Sequence, residues 1–339
     1  MRPLFPVRKL LLPLVPAYRL ALALRELRLR AGLEPVRRLR WPVVSIGSLS
    51  AGGAGKTPLT IALAKALERR GLRVDVLSRG YGRGSQRPAL VGPDGSAQEF
   101  GDEPLLIARE TGVPVYVAAQ RFEAGLLAEA GRSADLRLGL HLLDDGFQHR
   151  QLHRDVDILL LDGRDWFEDG LLPAGNLREP LKAARRATII AIPAPGEEPD
   201  GAPNLEAALR AWGWEGPVWR LRRRMEVPAV DGPVVAFCGI ARPEQFFAGL
   251  EAVGLRIAAR IAFPDHHRYT VRDLDRLVTA ARKRGAAALI TTEKDQVRLR
   301  KLAAAFAESL PLKTAGLRIE IEHEDEAIEW LVDRLVQTR

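Results

Sequence analysis

The chain of 339 residues is long enough for two ordinary domains, and its 47% hydrophobic and 28% charged residues are typical of a globular protein. Its single cysteine, Cys238, excludes an internal disulfide bond and a cysteine-based zinc site. The formal net charge of +8 favours an anionic partner: a phosphate compound, nucleic acid or an acidic membrane surface.

Basic side chains and short apolar runs alternate in the first forty residues. Ten lysines and arginines accompany only two acidic residues, Glu26 and Glu34. Two prolines and an arginine interrupt the apolar run at 10–24, which is therefore too short for the roughly 20 residues of a membrane span. A signal-peptide cleavage site is not recognisable either. We interpret residues 1–40 as a basic amphipathic segment on a membrane surface; the alternative is a helix packed on the main domain with a solvated basic face.

Apolar runs with many β-branched residues then alternate with helical stretches. Strands are predicted at 42–47, 73–78, 113–117, 136–143, 156–161 and 188–192. This alternation predicts a parallel sheet with helices on both faces.

A stretch rich in proline, glycine and acidic residues, 193–203, interrupts the pattern, which resumes at 233. The predicted elements of this part are strands at 218–227, 233–239, 257–263, 287–291 and 317–321 and a helix at 324–336. We therefore predict an α/β fold with a P-loop NTPase-like domain at 41–215. A β linker at 216–232 and a second, smaller Rossmann-like α/β domain at 233–339 complete the predicted organisation.

A glycine-rich loop, Ser50-Ala51-Gly52-Gly53-Ala54-Gly55-Lys56-Thr57, follows the first strand and begins a helix. This is the context of a phosphate-binding P-loop, in which backbone N–H groups and the helix N-terminus bind phosphate. Lys56 would reach the β- and γ-phosphates of ATP, and the Thr57 hydroxyl would bind Mg²⁺. Ser50 stands where the strict pattern has glycine, so the match is a variant. The alternative is a glycine-rich turn without a ligand.

Two carboxylates, Asp144 and Asp145, follow the predicted strand that ends in Leu142-Leu143. Mg²⁺ prefers oxygen ligands and needs only one or two carboxylates when phosphates and waters complete its shell. Beside a P-loop they are therefore candidate metal ligands. The sequence does not indicate which of the two lies nearer to Mg²⁺. The alternative is a turn in which the two side chains cap backbone groups.

Seven motifs in chain order resemble one known family. They are 47–58 (GSLSAGGAGKTP), 78–82 (SRGYG), 101–104 (GDEP), 144–149 (DDGFQH), 172–180 (LPAGNLREP), 263–267 (FPDHH) and 291–295 (TTEKD). Together with the basic N-terminal segment, this set is similar to the tetraacyldisaccharide 4′-kinase family, over about residues 1 to 300.

The resemblance implies a specific activity. ATP would phosphorylate the 4′-hydroxyl of a tetraacylated glucosamine disaccharide 1-phosphate, a lipid A precursor, with Mg²⁺ as cofactor. Two P-loop or Rossmann-like domains would be joined by a small β linker. The N-terminal helix would lie on the anionic inner leaflet, at the cytoplasmic face of the inner membrane. Neither nucleic acid nor an obligate protein partner is expected.

The resemblance also implies roles for single residues. Asp102 would activate the sugar hydroxyl, and His266 would support it, with His267 as the alternative. The positions expected near the ATP phosphates, the metal or the lipid are Arg79, Tyr81, Arg121, Arg178 and Glu179, with Glu179 also among the metal ligands. Gln148 and His149 would lie just outside the metal ligands. Taken singly, these arginines would be read as surface ion pairs and His149 as a structural histidine.

Two positions depart from the family pattern: Ser48 stands where asparagine is usual, and Asn176 where proline is usual. Both concern the fit of nucleotide and substrate rather than reactive groups. A switch ATPase acting on a protein partner is the main alternative, but no lysine lies between Arg40 and Lys56, where that class has an extra one. A nucleic-acid-binding protein is indicated only by the basic charge.

Overall fold

The computed structural model describes residues 10–131, 139–167, 169–197, 203–307 and 310–338. Its strands are β1 (Val43–Ser48), β2 (Arg73–Ser78), β3 (Ala89–Leu90), β4 (Val115–Val117), β5 (Gly139–Asp144), β6 (Val156–Leu160), β7 (Ile189–Pro193), β8 (Val218–Glu226), β9 (Val234–Cys238), β10 (Ile257–Ala262), β11 (Ala288–Thr292) and β12 (Leu312–Ile321). Its helices are α1 (Val15–Arg30), α2 (Lys56–Arg69), α3 (Ala97–Phe100), α4 (Asp102–Thr111), α5 (Arg121–Ala130), α6 (Gly163–Phe167), α7 (Leu205–Ala211), α8 (Pro243–Ala252), α9 (Val271–Lys283), α10 (Glu293–Ala307) and α11 (Glu324–Gln337).

These strands form one continuous sheet in the order β10-β9-β11-β12-β8-β7-β6-β1-β5-β2-β4-β3. Most neighbours are parallel, whereas β12 with β8 and β3 with β4 are antiparallel. Every residue of β1 and β5 is buried, as expected for central strands covered on both faces. The predicted α/β fold with a P-loop NTPase-like sheet is confirmed.

The predicted elements correspond to observed ones within a few residues, with two notable differences. Strand β12 begins five residues earlier than predicted, because Lys313, Thr314 and Gly316 break the apolar pattern on which the prediction depended. Strand β3 was not predicted, since two residues carry no periodicity. The predicted strand at 136–143 begins outside the described residues.

Strands β1 to β7 with their helices form a first unit, and strands β9, β10 and β11 with theirs form a second unit. Strand β12 belongs to both, because Leu312–Ala315 pair with β11 and Gly316–Ile321 pair with β8. The last helix, α11, buries Ile328 and Leu331 in the hydrophobic core of the first unit. The predicted boundaries at 215 and 232 stay a prediction, and by its packing α11 lies with the first unit.

Helix α1 lies on the first unit along one face only. On this face Val15, Tyr18 and Leu22 are partly buried, and they pack against a hydrophobic cluster that includes side chains of β6 and β7. On another face Leu20, Leu24 and Leu27 are 61%, 52% and 63% exposed. Within the described residues, none of the helices combines the length and hydropathy that crossing a bilayer requires.

Candidate active site

The phosphate loop connects β1 to α2 at the carboxyl end of the central strand. Gly52, Gly53 and Gly55 adopt φ angles of 78°, 69° and 90°, which side-chain-bearing residues rarely adopt. Ser50, at the position where glycine is usual, donates its hydroxyl to Asp165 Oδ2 over 3.0 Å. Serine therefore anchors the start of the loop, and the glycines that follow retain the backbone conformation that a phosphate loop requires.

Lys56 is held at the first position of α2 by two oxygen atoms. Its Nζ lies 3.3 Å from Ser48 Oγ and 3.4 Å from Asp145 Oδ1. Arg178 Nη1 donates to both carboxylate oxygens of Asp145, over 2.9 and 3.0 Å. Burial opposes the ionised form of Asp145, but Lys56 and Arg178 outweigh it and lower its pKa. The carboxylate thus holds two cations beside the loop.

Asp144 lies one residue earlier, at the buried end of β5, in a different environment. Its Oδ1 accepts a hydrogen bond of 3.2 Å from Thr60 Oγ1. Burial, followed by the charges of Glu103 and Asp145, raises the pKa of Asp144 to about 7. A divalent cation would relieve this unfavourable concentration of negative charge. Thr57, buried in the first turn of α2, offers the hydroxyl that such a cation needs.

Across the part of the chain that the structure describes, no three His, Cys, Asp or Glu side chains are arranged to hold a metal ion. Glu179, the third predicted carboxylate, lies 2.8 Å from Arg186 Nη2 instead. The residues fit Mg²⁺ only in the manner usual beside nucleotides, with few protein ligands and with phosphate and water oxygens for the rest.

The first turn of α4 and the loop after β10 bring the two predicted catalytic residues together. Asp102 Oδ2 and His266 Nδ1 lie 3.1 Å apart. The hydrogen bond with Asp102 raises the pKa of His266. The adjacent His267 instead contacts Asp273, at 3.1 Å from Oδ2. Of the two candidate histidines, the structure therefore places His266 beside Asp102, with the exposed ring of Tyr81 5.2 Å from it.

Two cations of the second unit at this point were not predicted as site residues. Arg298 Nε donates to Asp102 Oδ2 over 2.8 Å, and Lys294 pairs with Glu103. Burial of Asp102 opposes its ionisation, but His266, Arg298 and Lys294 hold its pKa below the ordinary range. Lys294 is part of the TTEKD motif, whereas Arg298 lies beyond it, and no spacing in the sequence indicates its partner.

Two of the predicted arginines, Arg79 and Arg121, contribute to a positively charged region around His149. Arg121 is buried, and its burial together with the charge of Arg79 lowers its pKa to about 10. Burial, then Arg121 and three further arginines, lower the pKa of His149 to about 3. His149 is therefore neutral at physiological pH, and the surrounding positive charge suits phosphate groups.

Gln148 connects this region to the phosphate loop and to Arg178. Its Nε2 donates to the Ser48 carbonyl over 3.0 Å, and its Oε1 accepts from Arg178 Nη1 over 3.3 Å. Tyr18 of α1 donates its hydroxyl to the Arg178 carbonyl over 2.8 Å. A residue of the exposed N-terminal helix thus contacts the backbone of a residue beside the phosphate loop.

The second unit also lies directly against the phosphate loop, through the connection between β9 and α8. A Cβ atom placed on Gly53 would lie 2.7 Å from Arg242 Cδ. The Arg242 side chain is held there by Asp162 of the first unit, to whose Oδ2 it donates over 2.8 Å. Sequence reasoning did not single out Arg242, because it belongs to none of the seven motifs.

The chain matches the family model described as "Tetraacyldisaccharide-1-P 4'-kinase" over residues 7–336. A protein of Koribacter versatilis named tetraacyldisaccharide 4'-kinase is 39% identical, with 96% of this chain and 99% of that protein covered. One of the same name from Anaeromyxobacter dehalogenans is 42% identical, covering 86% and 81%. The structure superposes with a TM-score of 0.73 on an "apo" form of LpxK from Aquifex aeolicus in complex with ATP, at 31% identity and 97% and 99% coverage.

Proposed function

The chain belongs to the tetraacyldisaccharide-1-P 4′-kinase family, and from this premise we propose how its residues transfer phosphate from ATP to the lipid A precursor. One observation carries the proposal: helix α2, which begins at Lys56, packs directly on helix α4, which begins at Asp102, with Leu59 and Leu105 in one hydrophobic core. This packing supports our proposal that the phosphate loop and the Asp102–His266 pair belong to one site. The family match and the named relatives give no support to the alternative of a switch ATPase.

The nucleotide binds, in this proposal, along the loop Ser50–Thr57. Backbone N–H groups of the loop and the N-terminus of α2 receive the phosphate oxygens. Lys56 exchanges its contact with Asp145 for the β- and γ-phosphates. Arg121, Arg79 and Arg178 supply further positive charge, since a guanidinium binds phosphate through two parallel hydrogen bonds. Gln148 and His149 hold this arrangement without carrying charge.

Thr57 and Asp144 are the residues that we assign to Mg²⁺. When bound, Mg²⁺ would neutralise charge on the β- and γ-phosphates. Asp144 must be ionised for this role. Its pKa is raised, so a bound cation would stabilise its ionised form. Asp145 and Glu179 are paired with arginines, so their assignment to the metal stays a prediction of the sequence.

Asp102 and His266 receive the proton of the acceptor hydroxyl. The 4′-oxygen forms a bond to the γ-phosphorus while the bond from that phosphorus to the β-phosphate oxygen breaks, and ADP leaves with the electron pair. The proton of the hydroxyl passes to the Asp102–His266 pair, because a hydroxyl is a poor nucleophile without a positioned base. Tyr81, next to His266, lines the side open to the lipid substrate.

Helix α1 places the protein on the membrane that holds its substrate. Its exposed leucines would enter the acyl boundary and its arginines would contact anionic headgroups of the inner leaflet, on the cytoplasmic face. The bond from Tyr18 to the Arg178 carbonyl then keeps the membrane-bound helix close to the site. One chain supplies every group in this scheme, so it requires neither a protein partner nor nucleic acid.

The test is transfer of labelled γ-phosphate, with Mg²⁺ and detergent, to a tetraacyl disaccharide 1-phosphate. We expect a labelled bisphosphate lipid that is lost in Asp102→Asn and Lys56→Ala. ATP hydrolysis without any lipid product would contradict the proposal, and full activity of Asp102→Asn would overturn the assignment of the base.

A further inference from the structure

Two cations of α10, one helical turn apart, each meet a carboxylate at the start of α4. Lys294 pairs with Glu103, and Arg298 pairs with Asp102. The side chains of Arg298 and Asp102 are each only 7% exposed. The contact therefore joins the two units in a place from which most water is excluded, directly at the proposed base.

The guanidinium of Arg298 is held by contacts within its own unit in addition to its contact with Asp102. Its Nη1 donates to the Gly239 carbonyl over 2.6 Å and to Asp295 Oδ1 over 3.0 Å. Asp295 is itself held, because the Gly239 N–H donates to it over 3.1 Å and the Tyr269 hydroxyl over 2.9 Å. The edge that remains, Nε and Nη2, faces Asp102.

The contacts at Asp102 converge on a single oxygen. Oδ2 receives Nε and Nη2 of Arg298 and lies 3.1 Å from His266 Nδ1, whereas none of these three contacts uses Oδ1. We propose that Arg298 is a positioning residue for phosphoryl transfer: it fixes Oδ2 of Asp102 against His266 and so directs Oδ1 towards the acceptor hydroxyl. This inference deepens the proposed function and rests on the role assigned there to Asp102.

A purely structural ion pair explains the arrangement less well. Burying two charges generally costs about as much free energy as their attraction returns, so a buried pair is weak support for stability. Here the pair involves the proposed base, and a planar guanidinium fixes the orientation of a carboxylate in a way that a lysine ammonium does not. Small errors in the orientation of a catalytic group cost large factors in rate.

Arg298 also influences where the proton is held. The charged groups that face Asp102 are Arg298 and Lys294 of α10, His266 of the loop after β10, and its own neighbour Glu103, with Asp265 next to His266. Arg298 Nη2 lies 3.4 Å from His266 Nδ1, so its charge disfavours a second positive charge on the imidazole. Removing Arg298 should therefore make Asp102 more basic and His266 easier to protonate.

The experiment compares Arg298→Met with Arg318→Met in the full-length protein. Arg318 is a matched control, because it too joins both units through carboxylates, Glu110 of α4 and Glu293 of α10. For Arg298→Met we expect kcat to fall about 100-fold, with little change in KM for ATP. The acid limb of its kcat profile should move to higher pH, because Asp102 has lost its nearest cation. Arg298→Lys should have the wild-type pH profile of kcat but only part of the wild-type kcat value.

Equal kcat values and superimposable pH profiles for Arg298→Met and Arg318→Met would overturn the inference. If Arg298→Met does not fold, by circular dichroism and ATP titration, Arg298→Lys decides: wild-type kcat in that variant would show that the guanidinium fork is not needed. Failure of the proposed function looks different, since wild type would then form no lipid product or Asp102→Asn would stay fully active.

Discussion

Asp102 Oδ2 and His266 Nδ1 lie 3.1 Å apart although 164 positions separate them in the chain. One residue begins α4 of the first unit, and the other follows β10 of the second. The pair exists only where the two units meet. Proton transfer by the proposed base would therefore depend on the relative position of the two units.

We expect His266→Ala to lower kcat by about 10²-fold or more, within the range for a lost general acid–base group, while ATP affinity is retained. His267→Ala is the matched control, because its ring contacts Asp273 and not Asp102. Steady-state kinetics with the lipid acceptor and calorimetric ATP titration measure the two effects. A larger loss in His267→Ala than in His266→Ala would reverse the assignment of the two histidines.

The pKa of His266 offers a test that does not depend on activity. The hydrogen bond with Asp102 raises it above the ordinary value near 6.5, so we expect Asp102→Asn to lower it. Histidine signals in an NMR titration, assigned with His266→Ala, give both values. An unchanged pKa in Asp102→Asn would mean that the bond is absent in solution.

The pKa shifts of His266 and Asp102 determine how the contact between these two residues contributes to the free energy of unfolding. His266 has a raised pKa, so its contribution is complete below about pH 6.5 and is lost as the pH rises through the folded-state pKa. Asp102 has a lowered pKa, so its contribution is complete above about pH 4 and is lost as the pH falls. Between about pH 4 and about pH 6.5, the free energy of unfolding of the wild type should exceed that of Asp102→Asn by the largest amount. A difference that is independent of pH would contradict this.

Lys56→Ala should abolish phosphate transfer and weaken ATP binding, because the phosphates lose the cation that Ser48 and Asp145 hold at the loop. Lys65→Ala is the control on the same helix, where the Lys65 ammonium lies 3.6 Å from Glu110. Labelled-ATP transfer and nucleotide titration measure both properties. Retained transfer in Lys56→Ala would remove the glycine-rich loop from the catalytic scheme.

Replacing Leu20, Leu24 and Leu27 by serine should reduce binding to vesicles that contain anionic lipid, because these leucines are the exposed apolar surface of α1. Activity on detergent-dispersed substrate should be kept. Serine at Leu126 and Leu127, exposed leucines of α5, is the control. Vesicle sedimentation that does not distinguish the two sets would argue against α1 as the membrane contact.

Asn176→Pro tests the departure from the family pattern. The backbone N–H and the side-chain Nδ2 of Asn176 donate to the two oxygens of Asp169, each over 2.8 Å. Proline removes both donors, so we expect a loss of about 1–3 kcal/mol in the free energy of unfolding. Asn176→Ala retains the backbone donor and should lose less. Equal melting temperatures for the two variants would show that the backbone bond contributes nothing.

Sequence reasoning recovered the phosphate loop and every strand of the sheet except the two-residue β3, because these are local patterns. The loop from Ser50 to Thr57 is contiguous, and buried parallel strands are continuous apolar runs. The resemblance to a family added Asp102 and His266, which no periodicity could have paired.

What was missed depends on contacts between distant segments. Arg298 and Arg242 look like ordinary surface arginines in the sequence, and only the folded chain brings them to Asp102 and to Gly53. The partner of Glu179 was missed for the same reason, since a carboxylate beside a motif does not reveal that Arg186 will reach it. Helical spacing does place Arg298 one turn after Lys294, but it does not indicate which face of α10 meets the other unit.

The return of the chain through β12 and α11 makes the second unit an insertion within the first. Ile319 of β12 and Leu331 of α11 share a core with Leu59 of the helix that carries Lys56. Part of the support beneath the phosphate loop therefore leaves the ribosome only after the whole inserted unit. Premature termination before α11 would damage nucleotide binding first, although the glycine-rich loop itself lies more than two hundred residues upstream.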